Sequence, residues 1–399
     1  AGRMKPVHSD IRGPLFVEAM KRQKQGIDIL KLNTGNPATF GFGLPDSIKN
    51  ALIEHMQDGV GYCDFKGMPQ ARQAICDYET SKGIKGITSD DVFIGNGVSE
   101  VVSFALTPLL NDGDEVLVPS PSYSLWGNSV YLEDGKPVFY TCDEQANWYP
   151  DIQDIRSKIT DKTKAIVIIN PNNPTGVLYP KELLLEIIQI ARESGLLIFA
   201  DEIYDRLVMD GKQHISLASL TEDVPVITLN GLSKSHCLCG YRCGWMVISG
   251  PRELTEDYRQ GIIQLTSLRL CANTLAQIVI PAALDDMDTP ASMVRPGGRI
   301  YEQREATVRE LEKIDGLSFV KNDAAFYVFP KLDVKKFNIT NDKQFAHDLL
   351  DATNILLVPG SGFDWKDPDH FRIVMLPQAD ILSDAIRRMG TFLDGYKQK

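Results

Sequence analysis

The chain has 399 residues, 43% of them hydrophobic and 24% charged, which is enough for more than one core and too apolar for wholesale disorder. Its net charge of −11 disfavours a nucleic-acid-binding surface, which needs clustered Lys and Arg, yet leaves room for local basic pockets that hold small anions. Seven scattered cysteines argue against a disulfide framework, and no apolar run long enough to span a bilayer or resembling a signal peptide is found, so a reducing, cytoplasmic setting is expected.

Residues 1–44 read as an arm, whose Gly/Pro-rich stretch Asn33 to Pro45 is expected to run back across a second domain. A large domain is expected over residues 45–291. Between Asp91 and Gly250, short runs rich in Val, Ile and Leu end in Gly, Pro, Ser or Asn and alternate with helical patterns, the signature of an α/β fold with a mostly parallel, seven-stranded sheet. Strands are predicted at Val92 to Gly95, Glu115 to Pro119, Pro137 to Thr141, Ala165 to Asn170, Leu196 to Ala200, Val226 to Asn230 and Gly244 to Ser249. Helices are predicted at Ser99 to Leu110, Lys181 to Ser194 and Arg252 to Leu265. Residues 292–399 change character and predict a smaller α+β domain, with an amphipathic helix from Arg299 to Ile314 and short strands around Ala325 to Phe329 and Phe371 to Met375.

In such sheets ligands sit beyond the C-terminal ends of the parallel strands, and the chemically suggestive residues fall there: Gly97, Tyr123, Asn173, Asp201 and Lys234. Lys234 follows an apolar strand through a Gly turn in Asn-Gly-Leu-Ser-Lys, so the strand should deliver its amine to the working edge. Most lysines are solvated surface charges, but a partly desolvated one has a lowered pKa and can form an imine with an aldehyde. Asp201 ends the strand of Ile-Phe-Ala-Asp-Glu-Ile-Tyr and needs a cationic partner if buried. A protonated pyridine nitrogen would be one, and capping of a following helix is the competing reading. Tyr204, three residues on, shares its face if that turn is helical.

The turn Asn170 to Gly176, with two prolines and a glycine, is either a plain connection or a rigid mount for the Asn173 amide. Gly95-Asn96-Gly97-Val98-Ser99 leads into a helix whose N–H groups suit a phosphate, without the spacing of a dinucleotide fingerprint. Arg242 could pair with the same phosphate, and Tyr123 could stack on an aromatic ring or be a core tyrosine. Arg372, within the apolar run His-Phe-Arg-Ile-Val, suits bidentate capture of a carboxylate, with a structural salt bridge as the alternative. Cys237, Cys239 and Cys243 form C-x-C-x-x-x-C with no second paired cluster, so they are read as small core side chains and no metal is expected.

Taken together, Asn173-Pro-Thr-Gly, Asp201 with Tyr204, and Ser233-Lys234 with Arg242 eight residues later resemble the class I and II aminotransferases of pyridoxal-phosphate (PLP) fold type I, over nearly the whole chain. The resemblance implies Lys234 as the Schiff-base lysine, Asp201 as the partner of the pyridine nitrogen, and Asn173 and Tyr204 as contacts to the cofactor's phenolic oxygen. It implies Tyr123 as the stacking aromatic, Gly97, Val98 and Ser99 as the phosphate loop, and Arg242 as the phosphate arginine. Arg372 becomes the α-carboxylate arginine and Gly35 the loop glycine that approaches the same carboxylate. Tyr62, in Gly-Tyr-Cys-Asp-Phe-Lys-Gly, resembles the tyrosine that reaches the phosphate of a neighbouring subunit, which implies a homodimer with shared sites.

A closer likeness is to bacterial alanine aminotransferases, through Asp10 to Pro14, Leu32 to Pro37, Gly244 to Val247 and Arg269 to Asn273. Arg12 then becomes a candidate for the distal carboxylate of glutamate. The cysteine-rich His236 to Gly240 departs from the family pattern and leaves substrate tuning beside the lysine open. The implied reaction is a ping-pong transfer of an amino group between an L-amino acid, alanine by preference, and a 2-oxo acid such as 2-oxoglutarate or pyruvate. A C–S β-lyase on the same fold is the alternative, and a non-catalytic PLP-sensing regulator a remoter one, since no basic helix-turn-helix precedes Asp10.

Overall fold

All seven expected strands form, each within two residues of its predicted bounds, in a computed structural model that describes residues 1–399. They lie in one sheet with an eighth, two-residue edge strand, Tyr149–Pro150, that periodicity over so short a run could not announce. From one edge to the other the order is Val92–Asn96, Cys243–Ser249, Val226–Gly231, Leu197–Asp201, Thr163–Ile169, Glu115–Ser120, Lys136–Asp143 and Tyr149–Pro150. The strands from Val226–Gly231 to Lys136–Asp143 pair in parallel, while Cys243–Ser249 runs antiparallel to both its neighbours. The C-terminal ends of the parallel strands and the start of Cys243–Ser249 therefore share one edge.

The near-continuous apolar runs follow from burial on both faces. On one face Ile166, Ile168, Ile198 and Ala200 pack against Leu184, Ile187, Ile188 and Ala191, the apolar stripe of the helix Lys181–Ser194. The intervening Val167, Phe199, Ile227 and Leu229 pack on the other face against Val102 and Leu106 of Val98–Leu106 and Ile262 of Arg252–Arg269. Each of these Val, Leu, Ile and Phe side chains contributes about 1.5–3 kcal/mol of burial, so the sheet is a stiff platform for its edge. The helix Lys181–Ser194 has its predicted bounds and stops at Gly195, which takes the left-handed φ of 65° that ends helices. Val98–Leu106 ends four residues short of the predicted Leu110 because Pro108 has no N–H to continue the ladder.

The C-terminal region builds its own core from Val328, Leu357, Phe371 and Ile373 against Phe345, Leu349, Ile386 and Met389, which lie on the helices Asp342–Thr353 and Ala379–Asp394. Leu32 joins this core, and the strand Leu30–Lys31 pairs in parallel with Ile355–Leu356. The predicted strand Ala325 to Phe329 contracts to Tyr327–Val328, since Ala325 sits at a left-handed φ of 59° and leaves the ladder. Tyr327–Val328 pairs antiparallel with Phe371–Val374, placing Tyr327 opposite Val374 and beside Arg372.

Candidate active site

Gly231 ends its strand where an added Cβ would strike the Cys243 carbonyl, so only glycine lets the chain turn here between two strands. One short helical turn, Leu232–Ser235, then aims Lys234 at the sheet edge. Its Nζ donates to the Gly35 carbonyl at 2.7 Å and lies 3.8 Å from Cys239 Sγ. The sequence predicted a depressed lysine pKa, and the opposite holds. Burial works against the ammonium but is outweighed by Tyr327, Cys239 and Tyr123 around it, and the pKa is raised.

Asp201 is buried at the end of Leu197–Asp201, and its carboxylate accepts only from Trp126 Nε1, at 3.0 Å, and the Ile203 N–H, at 3.3 Å. No helix follows, so helix capping is not its role. No cation of the chain reaches it, and burial pushes its pKa up to about 6. A carboxylate so placed fits a ligand that brings its own positive charge. Tyr204 follows in a turn, not a helix, and its hydroxyl lies 2.7 Å from that of Tyr327.

Arg372 is 1% exposed and is gripped between the rings of Tyr327 and Phe363, 4.5 and 4.7 Å from their centres. It donates from Nη1 to Asn173 Oδ1 at 2.9 Å and from Nη2 to the Asn33 carbonyl, while Nε has no partner. None of these acceptors is a carboxylate, so the structural salt bridge is absent; burial lowers the arginine's pKa. Asn173 is itself buried in the rigid turn after Thr163–Ile169, so the predicted arginine and amide meet directly.

At Gly97 the backbone takes φ of 84°, and an added Cβ would collide with the guanidinium of Arg242. That guanidinium makes one hydrogen bond, to the Cys239 carbonyl at 2.9 Å. It faces the start of Val98–Leu106, where the N–H groups of Val98 and Ser99 have no preceding turn to bond. An unpaired arginine at a helix N-terminus is a cradle for a phosphate.

Gly35 belongs to the same site, because a side chain there would overlap the Tyr327 hydroxyl and the Phe326 ring. Tyr123 is half-buried, close enough to help hold the Lys234 proton. Arg12 is exposed and unpaired, but the adjoining Ile11 carbonyl accepts from Asn33 Nδ2 at 2.8 Å, and the Asn33 carbonyl accepts from Arg372. Tyr62 is 83% exposed and makes no hydrogen bond within this chain. Of the cysteines, Cys237 faces Met293 Sδ at 3.9 Å and Cys243 is buried in the sheet, so only Cys239 reaches Lys234.

Sequence reasoning missed Trp126, Asn33, Phe326 and Tyr327. Tyr327 touches Tyr204, Arg372 and the Gly35 backbone at once, yet nothing marks it in sequence except an aromatic run, which reads equally as core.

Residues 27–386 match the family of class I and II aminotransferases. The chain is 50% identical to the glutamate-pyruvate aminotransferase AlaA of Haemophilus influenzae, over 99% of this chain and 98% of that protein. It is 45% identical to an alanine aminotransferase of Mycobacterium tuberculosis, over 100% of this chain and 93% of that one. Among solved structures, an aminotransferase from Escherichia coli superposes with a TM-score of 0.98 at 47% identity, covering 100% of this chain and 99% of that chain. An alanine aminotransferase from Pyrococcus furiosus gives 0.94 at 41% identity, covering 99% of each. With a phosphate cradle, an uncompensated buried carboxylate and an amine converging on one sheet edge, the chain belongs to the class I and II aminotransferases and is a PLP-dependent enzyme of that family.

Proposed function

We propose that the protein exchanges an amino group between L-alanine and 2-oxoglutarate, with Lys234, Asp201, Arg242 and Arg372 in the roles their placement suits. The observation that carries this reading is the set of charged groups left without charged partners at one edge: Arg242, Arg372 and Asp201. A phosphate, an α-carboxylate and a pyridinium satisfy them one for one. PLP supplies, when bound, an aldehyde that accepts an amine and a ring that withdraws electrons from the substrate's α-carbon.

The residues do the rest. Arg242, Gly97, Val98 and Ser99 would hold the phosphate, Tyr123 would stack on the ring, and Asn173 and Tyr204 would contact its phenolic oxygen. Asp201 would favour a protonated ring nitrogen. Arg372, fixed between Tyr327 and Phe363, holds the α-carboxylate with Gly35, so that the Cα–H bond is the one exposed to attack. Lys234 Nζ, once deprotonated, takes the Cα proton. Arg12 on the arm meets the distal carboxylate of glutamate. Tyr62, exposed and unpartnered, reaches the phosphate in a second copy, making the enzyme a homodimer. The chain then works as a large unit, residues 45–291, against a small unit of residues 292–399 joined by the arm, residues 1–44. No helix is long and apolar enough to cross a membrane, and a cytoplasmic location suits the reaction.

Alanine is supported by the alanine aminotransferases to which the chain is 45–50% identical over nearly full length. The test is product analysis with purified protein. Alanine and 2-oxoglutarate should give pyruvate and glutamate in equal amounts, with no free ammonia. Release of ammonia with pyruvate from cystathionine, without exchange between alanine and 2-oxoglutarate, would install the β-lyase reading instead.

A further inference from the structure

Behind the cofactor edge lies a buried ionic cluster that the reaction does not touch. Lys82, just past the helix Pro69–Ser81, sits among three carboxylates: its Nζ donates to Glu202 at 2.8 Å and Asp205 at 3.1 Å, and lies 2.7 Å from Glu79 as an ion pair. Its side chain is 13% exposed and the three acids are 0–3% exposed. Glu202, Asp205 and His214 have the donor types of a metal site, but the ammonium already occupies both carboxylates.

The cluster's connections run outward to three segments that carry the active site. Glu202 is covalently next to Asp201, and is held in turn by Ser216 Oγ at 2.9 Å and the Leu217 N–H at 3.1 Å. Asp205 accepts from Asn230 Nδ2 at 2.8 Å, and Asn230 Oδ1 accepts from the Gly231 N–H at 2.7 Å, at the turn that aims Lys234. His214, 4.0 Å from Glu202, lies 3.1 Å from the Asn170 carbonyl, where the turn bearing Asn173 begins. Bonds of this kind lock first contacts to within the tolerance that binding demands.

We propose that Lys82 is a positioning residue for the cofactor site, cross-linking through Glu202 and Asp205 the two strand ends that present Asp201 and Lys234. This rests on the roles given above to those two residues. Lys82 touches neither substrate nor cofactor. One positive charge among three carboxylates also makes the arrangement sensitive: without it, the acids repel one another, and the segment Glu202 to Asp205, which holds the Asn230 side chain, is displaced from Glu79 and from the turn at Gly231.

The test is the PLP dissociation constant of the apo-protein, measured by fluorescence, with apo unfolding followed separately. Lys82→Met should weaken PLP by at least about tenfold, the scale on which outer partners of a bound group act, and Lys82→Arg should restore most of the loss. Should Lys82→Met fail to fold, Asn230→Ala cuts only the thread to the Lys234 turn while leaving every charge paired, and should weaken PLP about threefold to tenfold. PLP affinity unchanged in Asn230→Ala and in folded Lys82→Met, or lost equally in Lys82→Arg and Lys82→Met, would overturn the tether. Borohydride trapping and peptide mass analysis of the wild type separates the two levels. PLP fixed on a lysine other than Lys234 would overturn the site assignment, and this inference with it. PLP fixed on Lys234, with affinity indifferent to Lys82, would overturn the tether alone.

Discussion

Replacing Arg372 by lysine keeps the charge and removes the fork. In the structure the guanidinium is 1% exposed, fixed by two aromatic faces and by Asn173 and Asn33, with no carboxylate of its own. A bound α-carboxylate would therefore take a pre-oriented, desolvated pair of N–H donors. Charge-assisted hydrogen bonds contribute about 1.5–3 kcal/mol each, so losing one of a pair lowers kcat/KM by about 10–150-fold. A lysine also cannot stack between Tyr327 and Phe363 as a flat cation does, which brings the expectation to the upper half of that range. The assay is kcat/KM for alanine and for 2-oxoglutarate, with PLP content measured in parallel. Both substrates carry the same α-carboxylate, so both should suffer alike while PLP stays bound. A loss below about threefold for either substrate would refute the assignment, as would a loss explained by missing PLP.

Three other perturbations probe the remaining corners of the site. Because burial raises the folded pKa of Asp201 from 3.8 to about 6, the apo-protein loses stability as pH rises through that window, by up to about 3 kcal/mol. Apo Asp201→Asn should thus gain on wild type from about pH 4 to about pH 7, read by denaturant unfolding, while binding PLP more weakly; parallel pH profiles would contradict it. Gly97→Ala puts a Cβ into the Arg242 guanidinium at a φ of 84° and should raise the PLP dissociation constant about tenfold. Arg12→Ala should raise KM for glutamate about tenfold and leave alanine within about twofold, and equal losses would remove Arg12 from the distal site.

The sheet was legible because its strands are covered on both faces, so apolar runs such as Thr163–Ile169 stand out against polar turns. The convergence of the candidate residues at strand ends was legible for the same reason, since a Lys, Asp or Asn that closes an apolar strand has few places to go. Residues brought in from elsewhere were not. Asn33 contributes a backbone carbonyl, which no side-chain pattern records, and Trp126 reaches Asp201 from the helix Leu125–Leu132, which follows a strand two places away in the sheet. The Lys234 pKa was misjudged because desolvation alone is visible in an apolar strand, whereas the oxygens and sulfur that outweigh it come from Tyr123, Tyr327 and Cys239, far apart in sequence.

That reversal has a kinetic consequence. An amine held as ammonium above the ordinary lysine range is not a nucleophile near neutrality, so capture of PLP by the apo-protein should be limited by the free-amine fraction. Since the folded pKa is raised, that fraction grows about tenfold with each pH unit through the neutral and mildly alkaline range, without a plateau below the ordinary lysine pKa. The rate is read by stopped-flow absorbance at fixed PLP. A plateau near neutrality would mean that the proton leaves more easily than the surrounding groups allow, and would move Lys234 away from the Gly35 carbonyl and Cys239 in the apo state. A rise that persists in Cys239→Ala but weakens in Tyr327→Phe would assign the effect to the hydroxyl, the group that also faces Tyr204 and Arg372. One tyrosine would then tie the proton on the amine to Arg372, the proposed carboxylate arginine.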